Sequence, residues 1–204
     1  MNTDRQRILE YSRKLFLHEG FNKTTMDEIA GWLKISKKTI YKNFVSKDEL
    51  VREAVMNFAL GNHEKINKLV SSDYNAVEKS FKMLNFVGAM LVQISESFLD
   101  DIRNFMPDLW KEIDKIRTKI LYTNLKSIIE QGQIEGYFID DQKSDTLVAL
   151  FIVSIRGVIN PDSLIENKLT PVKAAESIIE LLLNGMLTNK GRKLFAKLKS
   201  GENK

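Results

Sequence analysis

The chain has no cysteine, so no disulfide staples it and no thiolate cluster can hold a metal, which suits a reducing, cytoplasmic setting. Only three prolines, at 107, 161 and 171, interrupt its 204 residues, and no stretch alternates apolar with polar side chains long enough for a strand. Long apolar runs are missing as well. The most continuous, Leu147 to Val153, is far shorter than the about 20 residues that cross a bilayer, and the first dozen residues lack the apolar segment of a signal peptide. No membrane role is expected. Catalytic groups are scarce: His18 and His63 stand in no HxxxH or HxxE spacing, no glycine-rich loop offers to cradle a phosphate, and Glu96, Asp100 and Asp101 cluster at an expected helix end. No enzyme activity, metal or cofactor is expected.

What remains is enough for a packed core, since 43% of the residues are hydrophobic. The net charge of +4 is unevenly spread. Residues 1–50 carry ten Lys or Arg against seven Asp or Glu, residues 51–189 fifteen against nineteen, and residues 190–204 six against one. A basic head on a mildly acidic body fits a nucleic-acid partner for the head. The basic tail, with Gly191, Arg192, Lys193, Lys197 and Lys199, reads as solvated or frayed, with DNA contact as the alternative.

Helix start signals are clearest near the N-terminus. Thr25 with Glu28 fits a capping box, in which hydroxyl and carboxylate satisfy each other's backbone amides, so a helix starts at Met26. Ser46 with Glu49 repeats it. Met26, Ile29, Ala30 and Leu33 share one face, as do Ile40, Tyr41 and Phe44, while Ile8, Ser12, Leu15 and Phe16 give an earlier helix ended by Gly20. Two short helices over about 25–44, joined by a tight turn, make a helix-turn-helix. Its second helix turns Lys37, Lys38, Thr39, Lys42 and Asn43 outward, with Lys47 just beyond and no carboxylate interrupting them. An isolated lysine-rich helix is usually a solvated face; the caps and spacing point instead to a helix that enters the major groove.

The stretch from Arg5 to Val55 resembles the DNA-binding domain of the TetR/AcrR family of bacterial transcription regulators. The resemblance rests on Ile8, Leu15-Phe16, Gly20-Phe21, Thr24-Thr25, Ile29-Ala30, Ser36-Lys37, Thr39-Ile40-Tyr41, Phe44 and Ser46 to Leu50. It implies base-edge contacts from Lys37 and Lys38, and phosphate contacts from Thr39, Tyr41, Asn43, Lys47, Thr24 and Thr25, with the ring of Tyr41 on the small core. The chain departs from the family at Lys34 and Lys38, where glycine is common, at Leu33, where alanine is usual, and at Lys42, which replaces an aromatic or histidine and is expected on phosphate. At Lys34 a positive φ would bring strain.

The rest reads as helix after helix, so the fold class is all-α: a three-helix DNA-binding domain at 1–50, then a helical effector-binding and dimerisation domain at 51–204, about nine helices in all. Expected helices run from Leu50 to about Val70, Ala76 to about Phe98, Leu99 to Met106, Pro107 to about Gln131, Lys143 to about Asn160, where Pro161 ends it, and Pro171 to about Leu187. The helix holding Leu147 to Val153 is apolar all round and must be covered all round. A second subunit would do so, through Phe151, Ile155, Ile178 and Leu182, and the resemblance also implies pairing through the last two long helices. Arg156, inside that helix, needs an anion, either a structural carboxylate or an acidic ligand. Phe81, Phe86, Met90, Phe98 and Phe105 supply surfaces suited to a small-molecule effector, as do Met106, Trp110, Tyr122 and Phe151; they equally suit an ordinary core. The function expected is a ligand-responsive repressor, binding a palindromic double-stranded DNA operator as a homodimer. A helical protein-interaction module that never touches DNA is the alternative.

Overall fold

The computed structural model describes residues 4–201, and among these twelve helices follow one another with no strand, only an isolated antiparallel bridge between Phe138 and Leu187. They form two compact units. Among the described residues, one holds 4–62 together with Gln93–Ile113; the other holds His63–Val92 and 114–201.

The first unit is built on α1 (Asp4–Glu19), which buries Ile8, Ser12, Phe16 and Leu17. Gly20 ends it at φ 85, in the left-handed region, and donates its N–H to Phe16 O at 2.9 Å. Helices α2 (Met26–Leu33) and α3 (Lys37–Asn43) form the helix-turn-helix, and α4 (Lys47–Gly61) packs along α1 with Leu50, Val51, Ala54, Val55 and Phe58 buried. A later helix, α7 (Glu96–Phe105), returns to this unit and packs on α1. Phe16, Phe21 and Phe98 form an edge-to-face chain with ring centroids 6.4 and 6.2 Å apart. The unit therefore extends past residue 50, because α4 and α7 bury their apolar faces in it.

The second unit contains α5 (His63–Val70), α6 (Ala76–Leu91), α8 (Pro107–Ile134) from Asp114 on, α9 (Ser144–Val158), α10 (Pro161–Glu166), α11 (Pro171–Met186) and α12 (Asn189–Ser200). Helix α6 packs against α5, α11 and α12, and α11 packs against α9. An Asn75–Glu78 capping box starts α6, while Glu135 accepts from the Ala76 N–H at 2.8 Å.

Several element boundaries differ from expectation. The long helix to Val70 is interrupted at Asn62. Helix α6 stops at Leu91, and Ser95 caps α7 by accepting from Phe98 N–H. Pro161 begins a short helix at its favoured first position, with Asn160 as cap. The basic tail is a helix capped by Thr188; Phe195 is buried against Phe81 at 6.1 Å, so 189–200 is not a frayed end. Residues 202–204 of that tail lie outside the described residues.

Candidate nucleic-acid interface

Local chemistry fixes the reading helix at three points. Thr25 accepts from Glu28 N–H at 3.2 Å while Glu28 Oε2 accepts from Thr25 N–H at 2.7 Å, closing the box that starts α2. Ser36 accepts from Thr39 N–H at 3.0 Å to start α3, and Ser46 accepts from Glu49 N–H at 3.1 Å to start α4. Between α2 and α3, Lys34 stands at φ 54, ψ 43. The strain expected there is present, about 1 kcal/mol for a residue with a Cβ. Ile40 and Phe44 are fully buried and anchor α3 from below; the Arg5 guanidinium lies over the Phe44 ring, 4.6 Å from its centroid.

The outward face is cationic, but its members are not equivalent. Lys38 and Lys42, one helical turn apart, are exposed and have no ion-pair partner among the described residues. Lys37 is also exposed, yet its ammonium sits 2.6 Å from Asp27 Oδ2 on α2, which holds its pKa above the ordinary value. The face is therefore not free of carboxylate, because α2 supplies one. Lys47 donates to Asn22 O at 2.9 Å, Asn43 Nδ2 donates to Thr39 O at 2.8 Å, and Thr39 shares a hydrogen bond with Ser36 at 2.8 Å. Tyr41 is 46% exposed, so it is only partly covered. Thr24 departs furthest: it is buried and its hydroxyl donates to Gly20 O at 3.1 Å, leaving no proton for a phosphate oxygen. Sequence reasoning passed over Trp32, which the apolar stripe of α2 leaves out and which is 72% exposed.

A carboxylate from α7 braces the loop ahead of α2. Asp101 Oδ2 accepts from the N–H groups of Phe21 and Asn22 at 2.5 and 2.7 Å, and Asn22 is the residue whose carbonyl holds Lys47.

The expected effector residues fall in both units. Phe98 is in the core of the first unit, with exposed Phe105 and half-buried Met106 and Trp110. In the second, Phe81 packs on Phe195, Phe86 and Met90 are half-buried on α6, and Phe151 is buried. Tyr122 donates to Asp145 at 3.0 Å and borders an open hollow of about 570 Å³ lined by residues of α8, including Lys126, Glu130 and Ile134. None of the other expected residues lines that hollow. Arg156 is half-exposed rather than buried, and Nε and a terminal nitrogen both reach Asp114 Oδ2 at 2.8 Å. Asp114 also takes Arg117 at 2.8 Å, so the anion for Arg156 is structural and lies within the chain.

The helix expected to be covered all round has one open side. Phe151 and Ile155, expected at a dimer interface, are buried in their own unit, whereas Leu150 and Val153 are 57% and 69% exposed. On α11, Leu181 is 73% exposed, with Ile178 and Leu182 half-buried. Among the described residues no helix is long and apolar enough to cross a membrane, and no group of three or more His, Asp or Glu is placed to hold a metal.

Residues 8–54 match the pattern of the family described as bacterial regulatory proteins, tetR family. The HTH-type transcriptional regulator YvaF of Bacillus subtilis (strain 168) is 27% identical over 186 residues, covering 89% of this chain and 94% of that protein. Among solved structures, a TetR-family transcriptional regulator from Agrobacterium tumefaciens has a TM-score of 0.66 at 15% identity, covering 90% of this chain and 97% of its own. The transcriptional regulator FadR from Bacillus subtilis, in complex with stearoyl-CoA, has a TM-score of 0.60 at 17% identity, covering 88% and 98%. At these identities the solved structures share the fold.

Proposed function

Because this chain belongs to the TetR/AcrR family of bacterial transcription regulators, with a helix-turn-helix DNA-binding domain, we propose that it is a repressor that grips a palindromic operator as a homodimer and releases it when a small effector binds. One observation carries the reading: Lys38 and Lys42 stand together on the exposed face of a helix that three caps and two buried side chains hold in place. Phosphate oxygens are the natural partners of such a face, and bases those of the helix's N-terminal residues. Lys37, Lys38, Thr39, Tyr41, Lys42, Asn43, Lys47 and Thr25 remain in the proposed contact set. Thr24 leaves it, since it is buried as well as bonded to Gly20 O, whereas Thr25 is exposed.

Pairing is proposed through the open side of α9 and α11, with Leu150, Val153 and Leu181 at its centre and Ile178 and Leu182 beside them. Exposed apolar side chains on two helices that pack on each other support it. Two heads related by a two-fold axis need half-sites about 34 Å apart or a multiple of that. The effector is proposed to bind in the second unit, where Phe86 and Met90 are half-buried. It must favour one head spacing over the other; tight but equal binding to both would shift nothing.

The test starts with the DNA upstream of the protein's own gene. The purified protein is expected to retard that fragment, with log K falling steeply against log salt. A compound screen then looks for loss of retardation. A chain that binds no DNA at low ionic strength is not a repressor, and a chain that stays monomeric cannot read a palindrome in this way.

A further inference from the structure

Asp27 takes no part in the cap of α2. The cap of α2 is closed by Glu28, and Glu49 likewise turns back to accept from Val45 N–H at 2.5 Å. Asp27, in the first turn of α2, instead reaches across to the first residue of α3 and meets the Lys37 ammonium at 2.6 Å. Burial does not force the contact, since the two side chains are 48% and 67% exposed. Lys38 and Lys42 on the same helix have no such partner among the described residues.

We propose that Asp27 is a specificity-determining residue: it holds the Lys37 ammonium back from phosphate, so that Lys37 contributes on the operator and not on other DNA. This rests on the DNA-binding reading above. On a duplex of arbitrary sequence, Lys37 gains a phosphate oxygen only by giving up a carboxylate oxygen, and the exchange releases no net counterion. On the operator, a base edge with two acceptors, as guanine presents in the major groove, repays the exchange. Binding to the wrong sequences is thereby weakened more than binding to the right one, which is how a cost set against the wrong partner raises discrimination.

The test uses the full-length protein and two duplexes of equal length: one selected from a random-sequence pool by retention on the protein, one of mixed sequence. Dissociation constants are measured by fluorescence anisotropy over a range of KCl concentrations. Asp27→Asn is expected to tighten mixed-sequence binding by about threefold, the scale of an exposed ion pair, and to steepen its salt slope by about 0.9. Affinity for the selected duplex changes less, so discrimination falls. Asp27→Glu keeps the wild-type slope, and in a Lys37→Ala background Asp27→Asn changes neither slope nor discrimination. Equal tightening on both duplexes, or the same gain without Lys37, would overturn the proposal. Should the wild-type protein retain no duplex from the pool, the DNA-binding reading falls and takes this one with it. Circular dichroism melting of each variant checks that the fold is intact, and Asp27→Ser serves in place of Asp27→Asn if that variant melts early.

Discussion

Replacing Asp101 tests whether the head is held from a helix far along the chain. Its Oδ2 accepts two backbone amides, Phe21 N–H at 2.5 Å and Asn22 N–H at 2.7 Å. A hydrogen bond to a charged group contributes about 1.5–3 kcal/mol when its loss leaves a shielded donor unpaired. Phe21 is buried, so its bond should count nearly in full; Asn22 is exposed, and water can replace most of the second. Asp101→Ala should therefore cost about 2–4 kcal/mol, and Asp101→Asn, which keeps an oxygen without the charge, about half as much. Against a domain stability of about 5–15 kcal/mol this is a large share. Gly20→Ala approaches the same clamp from the other side: its Cβ would stand 2.6 Å from Asp101 Oδ2 at a φ of 85, so its cost should fall in the same range. Urea unfolding followed by circular dichroism gives the loss, and hydrogen exchange at the Phe21 and Asn22 amides shows where it arises. If Asp101→Ala lies within 0.5 kcal/mol of the parent and those amides exchange no faster, the clamp contributes nothing and the reasoning fails.

Lys42→Ala is expected to weaken binding to all DNA sequences alike and to lower the salt slope by about 0.9; an unchanged slope removes Lys42 from the phosphate contacts. Lys34→Gly should raise stability by about 1 kcal/mol, read from the urea midpoint, by relieving the left-handed backbone of the turn. Leu181→Glu places a charge at the centre of the open α9–α11 face and should leave the protein monomeric in sedimentation while its helical content stays intact; a dimer that survives the change pairs elsewhere.

The reading motif was legible because its signals are local. Thr25 with Glu28 closes the expected box and Ser46 caps α4 as expected, each within four residues, although Glu49 turns back to Val45 N–H rather than to Ser46. What the sequence hid depends on partners further away. Thr24 and Thr25 look alike in the chain, yet Gly20 O takes one hydroxyl and α2 takes the other. Lys37 looked free because its carboxylate lies ten residues earlier on another helix. In α9 an unbroken apolar run has no phase, so Phe151 was assigned to the side that Leu150 and Val153 occupy. Arg156 and Gly157 were the available markers, since both lie on the exposed side in line with Val153. In the tail, Leu194, Phe195 and Leu198 form a short stripe that the surrounding lysines concealed, and that stripe makes 189–200 a packed helix.

The short helix α3 is electrostatically uncomfortable by itself. Lys37 and Lys38 sit at its positive dipole end, and Lys38 faces Lys42 across one turn, with no acid in the helix to offset them. Any polyanion that settles on this surface therefore relieves a tension already built in, and the head should melt later in the presence of DNA, or even of heparin, than alone.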